Sequence, residues 1–127
     1  MFELVEKKKY ELIWSFVLDY ENSRNPYLER QTHIKLISDL CSEKIAPNED
    51  IRLRANEIIT KSNAKNRDAL HLASAIWANA KYFITCDDKL IKTISSNEVA
   101  LQNIIKGMEL YNPIDFLRRE MNIDVIE

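Results

Sequence analysis

Residues 66–90, NRDALHLASAIWANAKYFITCDDKL, decide the fold. Asp68 heads a pattern of Ala69, Leu72, Ala73 and Ile76, whose spacing of three and four residues marks the buried face of a helix. Asn66 and Arg67 give that helix a polar start. Tyr82, Phe83 and Ile84 then form an apolar run too short for a helix and suited to a fully buried strand, punctuated by Thr85, Cys86, Asp87 and Asp88. A helix that opens on one acid is therefore followed by a strand that ends on another. In an open α/β sheet, strand C-termini and the helix N-termini that follow them lie on one edge, where ligands bind. Asp68 and Asp87 are expected to face one another there.

Working outward, ELIWSFVL over residues 11–18 is almost continuously apolar and reads as a central strand, closed by Asp19, Tyr20 and Glu21. Asn25 before Pro26 is a cap residue followed by the imino acid favoured at the first helical position. Tyr27, Ile34, Ile37 and Cys41 carry that helix over residues 26–42. Pro47 and Asn48 punctuate, and Ile51, Ala55, Ile58 and Ile59 outline the next helix to about Lys61, with residues 62–65 as its loop. Phe2, Leu4 and Val5 followed by Glu6 to Lys9 look like the end of an amphipathic helix, with lysines at its carbonyl terminus.

Downstream, Leu90, Ile91 and Ile94 predict a short helix that residues 95–97 interrupt. Residues 99–106 suit either element. After Gly107, residues 108–111 read as a short strand, and Asn112 and Pro113 start a last helix over residues 114–121 with Phe116 and Leu117 inward. Strands alternating with helices predict an α/β fold, helix-rich, with a short and mainly parallel sheet.

The composition narrows function. A chain of 127 residues is one domain's worth. Its single glycine argues against P-loops and dinucleotide fingerprints, which need several. A formal charge of -2 creates no strong field toward nucleic acid or membrane, so nucleic-acid binding must be local. Cys41 and Cys86 lack metal-ligand spacing and read as reduced thiols of a cytoplasmic protein. No apolar run is long enough to span a membrane, and the first ten residues carry charges throughout instead of a signal-peptide core.

Glu21, Asp68 and Asp87 each sit where an apolar segment meets a helix start. One such acid is ordinarily a cap or a partner of the helix dipole. Three at one sheet edge repel unless protonated or neutralised by a cation, and oxygen-only ligands suit Mg²⁺ or Mn²⁺. Thr85 is either an orienting hydroxyl or a β-branched strand residue, and Ser15 has the same two readings. His71, three residues beyond Asp68, reads as a packed or surface histidine. His33 has no partner acid in view. Trp14 and Trp77 read as core. Asp19 and Asp88 read as solvated neighbours of the favoured acids. Arg24, Arg30, Arg52, Arg54, Lys65 and Arg67 are candidate phosphate contacts, or solvated helix faces.

RDALHLASA followed by KYFITCDDKL resembles the third and fourth acidic motifs of PIN-domain ribonucleases. WSFVLDYENSRNP resembles the strand and helix start that carry the second acid, and YNPIDFL resembles the closing strand and helix. The resemblance implies a single PIN-like domain over residues 1–127, three-layer α/β/α. By it, Glu21, Asp68 and Asp87 are metal-site acids and Thr85 is the hydroxyl near the last of them. The implied activity is Mg²⁺- or Mn²⁺-dependent cleavage of RNA, as in toxins held by an antitoxin. Such domains open with a central strand ending in a first Asp, and no such stretch precedes the strand of Trp14 here. The expectation is therefore an N-terminally truncated domain with an impaired site, or a non-catalytic binding or dimerisation module. The two strands flanking the gap would close up, or a second copy or complementing chain would fill it, or the true start lies upstream.

Overall fold

The computed structural model describes residues 11–125. The helix end expected over residues 2–9 lies outside the described residues. The chain runs β1 (Ile13–Ser15), α1 (Phe16–Ser23), α2 (Leu28–Ser38), β2 (Glu43–Ile45), α3 (Glu49–Ser62), α4 (Asn66–Trp77), β3 (Tyr82–Ile84), α5 (Asp88–Ser96), α6 (Glu98–Ile105), β4 (Glu109–Tyr111) and α7 (Pro113–Val125). Strand, two helices and a parallel strand occur twice, on either side of the α3 and α4 pair.

That helical pair is the centre of the core. Asn48 caps α3 by accepting from the Ile51 N–H at 2.9 Å, with Glu49 and Asp50 in the first turn, where acids meet the orphan amides. Ile51, Ala55, Ile58 and Ser62 form its single buried stripe. The helix stops at Asn63, whose φ of 60° suits a residue that tolerates the left-handed region. On α4 the expected face is the buried one: Ala69, Leu72, Ala73 and Ile76, with Ser74 beside them. Ile58 and Leu72 are wholly enclosed. Ile45, Leu90, Ile94, Leu101, Ile104 and Met108 pack onto this pair and complete the core. Phe116 of the last helix is also buried, as expected, and stands edge-on to Tyr82 with ring centroids 5.1 Å apart.

Five points of the sequence reading are corrected. The strand over residues 11–18 is only three residues long, and its apolar continuation is α1, in which Val17 is buried. A continuous apolar run has no period and cannot locate the switch from strand to helix. The helix of residues 26–42 is shorter at both ends. Asn25 accepts from the Tyr27 N–H at 3.1 Å in a local turn, which delays the start, and the Ser42 N–H donates to the Leu12 carbonyl at 2.9 Å, which commits that residue to a sheet. The strand Glu43–Ile45 was not expected at all. β3 is half-buried along its whole length, not fully buried. Trp77, expected in the core, is 49% exposed at the end of α4.

Both strand pairs are parallel, as expected. β1 pairs with β2 with Trp14 opposite Lys44, and β3 pairs with β4 with Phe83 opposite Leu110. Among the described residues they form two separate two-stranded sheets. The two strands that flank the expected gap, β1 and β3, do not pair with one another. A groove of 930 Å³ touches both, lined by Ile13 and Ser15 on one side, Phe83 and Ile84 on the other, and Ser74 and Ala75 of α4.

Candidate functional site

Asp68 lies in the first turn of α4, half-buried beside the core stripe. Burial pushes its carboxyl up from the usual aspartate range, the neighbouring Asp87 pushes it further, His71 and Lys65 oppose the shift, and Glu21 adds to it. Asp87 and Glu21, the other two acids singled out in the sequence, thus both act on Asp68 through space. Asp68 and Asp87 are the closer electrostatic partners, and they approach from a helix start and a strand end as expected.

Asp87 is exposed and caps α5. Its Oδ1 accepts from the Lys89 N–H at 3.0 Å and the Leu90 N–H at 3.2 Å, which satisfies two of the amides a helix start leaves unpaired. The Thr85 hydroxyl oxygen accepts from the Asp87 N–H at 3.1 Å, and the Thr85 N–H donates to the Tyr111 carbonyl at 2.9 Å. Thr85 therefore joins strand pairing to the turn that presents Asp87. Asp88, in the first turn of α5, accepts from the Asn112 side-chain amide at 3.3 Å, tying that helix to the end of β4.

Glu21 sits within α1, not at the end of a strand. One oxygen lies 3.1 Å from His71 Nε2 and the other 3.6 Å from Arg67 Nε. Arg67 and His71 are four residues apart on α4, so they share a face and reach the same carboxylate. His71 had no local sign of this role, because its partner is fifty positions away. The spacing of Arg67 and His71 is the trace that could have suggested it. Asp19 is not merely solvated: its Oδ1 accepts from Trp14 Nε1 at 2.8 Å, and Trp14 is buried as expected.

Of the six basic candidates, Arg24 and Arg67 come together over the Tyr20 ring, with guanidinium carbons 5.6 and 5.7 Å from its centroid. Lys65 is near enough to act on Asp68. Arg30 stacks on Tyr27 at 4.8 Å, and Arg52 is engaged by Glu49 on the surface of α3.

A hard divalent cation requires several oxygens converging at bonding distance. Among the described residues, no three His, Cys, Asp or Glu side chains come together closely enough to hold one. Asp68 and Asp87 supply the right donor chemistry and the start of such a set. Glu21, the third, is engaged by a histidine and an arginine, so these residues as they stand do not make a metal site. Among the described residues, no helix is long and apolar enough to cross a membrane.

The family model for the PIN domain matches residues 9–95, which takes in all three acids and the Arg67 and His71 that engage Glu21. No curated protein and no solved structure matches the chain.

Proposed function

The chain belongs to the PIN domain family, and on that premise we propose a domain of the metal-dependent ribonuclease type whose acidic edge is Asp68, Asp87 and Glu21, with cleavage impaired in residues 11–125. The observation that carries this reading is the placing of Asp68, Asp87 and Glu21 at one edge, where burial first and the two neighbouring acids after it raise the Asp68 carboxyl. Mg²⁺ or Mn²⁺ is the cation of choice for such donors. Arg24, Lys65 and Arg67 flank the acids and are the groups on which an RNA backbone would rest. The impairment follows from Glu21, which is turned to His71 and Arg67. In a toxin-type domain an antitoxin would be the natural protein partner.

The test is cleavage of a fluorescent single-stranded RNA with Mn²⁺ by the chain and by Asp68→Asn and Asp87→Asn. Slow cleavage that both substitutions abolish supports the reading, whereas identical traces from all three proteins remove the catalytic claim. A second reading, a non-catalytic binding module, is favoured by the groove that separates the two sheets.

A further inference from the structure

We propose that the groove between β1 and β3 is an acceptor for one extended polypeptide strand supplied by a partner, which joins the two sheets into a single parallel sheet. Each strand has one ladder neighbour among the described residues. Ile13 and Ser15 line the groove, while β2 takes up the opposite edge of β1. Across it, the Thr85 N–H turns to Tyr111, so the main chain of Ile84 faces the groove in the same way. Both strands run toward the edge where Glu21 and Asp87 act on Asp68. An entering strand with that same direction can bond to both.

The floor and the chemistry suit a strand. Ser74 and Ala75 of α4 are small enough to let a main chain approach, and the lining is chiefly apolar. The volume of 930 Å³ is at the upper end for a small-molecule site and accommodates a short peptide. The Ser15 hydroxyl lies in this lining, is 7% exposed as a residue, and has no hydrogen-bond partner among the described residues. A buried polar atom left in that state is costly, and an incoming main-chain group would satisfy it.

The occupant follows from what an interior parallel strand must be: an unbroken apolar run, because both its faces are covered. Residues 1–10, MFELVEKKKY, are interrupted by Glu3 and by four consecutive charges, so they supply no such run. A second copy has its apolar strands engaged in their own ladders. The partner is therefore a polypeptide other than residues 1–127 that offers about five β-branched or aromatic residues without an interior charge, held chiefly by main-chain hydrogen bonds.

The probe is a synthetic peptide with the core Val-Ile-Val-Ile-Val between terminal lysines, with a control in which the central Val is Pro and lacks the N–H. Thermal unfolding and amide exchange of the 127-residue chain are the readouts. The expected result is a saturable rise in the unfolding midpoint, slowed exchange at Ile13, Ser15 and Ile84, and binding at least about tenfold weaker for the proline peptide. Ala75→Trp, which fills the floor, should abolish the effect; if that variant fails to fold, the proline control still decides. No saturable response, equal affinity for the proline peptide, or binding that survives in folded Ala75→Trp overturns the proposal. So does protection of those amides without peptide, whether independent of concentration, which assigns the groove to the chain's own residues, or dependent on it, which assigns it to a second copy.

Discussion

His71 Nε2 stands 3.1 Å from Oε1 of Glu21, across fifty positions of sequence, and fastens α1 to α4. Both side chains are partly buried, so the bond is screened less than a surface pair. We expect Glu21→Gln and His71→Ala to show a coupling of about 0.5–1.5 kcal/mol in a double-mutant cycle read by urea unfolding. Additive effects would mean that the two groups merely lie close.

The raised carboxyl of Asp68 has a signed consequence for stability. Its folded pKa lies above the unfolded value near 3.8, so the folded state binds the proton more tightly. The stabilisation from that proton is complete below about pH 3.8 and is lost as pH rises through the folded value. In EDTA, Asp68→Asn should therefore be more stable than the parent at neutral pH, with the difference shrinking on acidification. Denaturant midpoints from pH 3 to pH 7 check this, and a difference that grows toward low pH would contradict it.

Asp87 can be divided into its two roles. Asparagine retains the side-chain oxygen that caps α5, and alanine does not. Asp87→Ala should lose about 1 kcal/mol of stability and Asp87→Asn only a few tenths, while both lose any Mn²⁺-dependent cleavage. Equal stability loss in the two variants would place the effect outside the cap.

The core and the margin of α4 should respond unequally. Leu72→Ala removes a fully enclosed side chain and is expected to lose about 2–5 kcal/mol. Trp77→Ala, at a half-exposed position, should lose about 1 kcal/mol or less. Chemical denaturation of the two variants side by side is sufficient.

What the sequence revealed was set by periodicity and punctuation. α3 and α4 were legible because their apolar residues recur at helical spacing, and β3 and β4 because short apolar runs lie between turn residues. β2 was not legible: of Glu43, Lys44 and Ile45, only Ile45 is buried, which leaves no pattern to detect. The switch at Ser15 was hidden because Trp14, Phe16, Val17 and Leu18 are apolar on both sides of it. Among the site residues, Asp68 and Asp87 could be placed from the helix start and the strand end beside them. Glu21 could be named, but its place within a helix and its engagement by Arg67 and His71 depend on α1 lying against α4, which no local pattern encodes.

The two strand-helix-helix-strand units differ in how much they invest in the core. Among the described residues, the unit of β3, α5, α6 and β4 contributes Leu90, Ile94, Leu101 and Ile104 to the main core cluster, whereas that of β1, α1, α2 and β2 contributes Ile45, with Ile13 and Phe16 partly buried against it, and α2 leaves Leu28 and Leu36 exposed. Local opening free energies follow buried apolar contact. Amide exchange is thus expected to open the half that carries Glu21 more readily than the half that carries Asp87. The acidic edge then spans the boundary between the two, and its geometry is as persistent as the contact of Glu21 on α1 with His71 on α4.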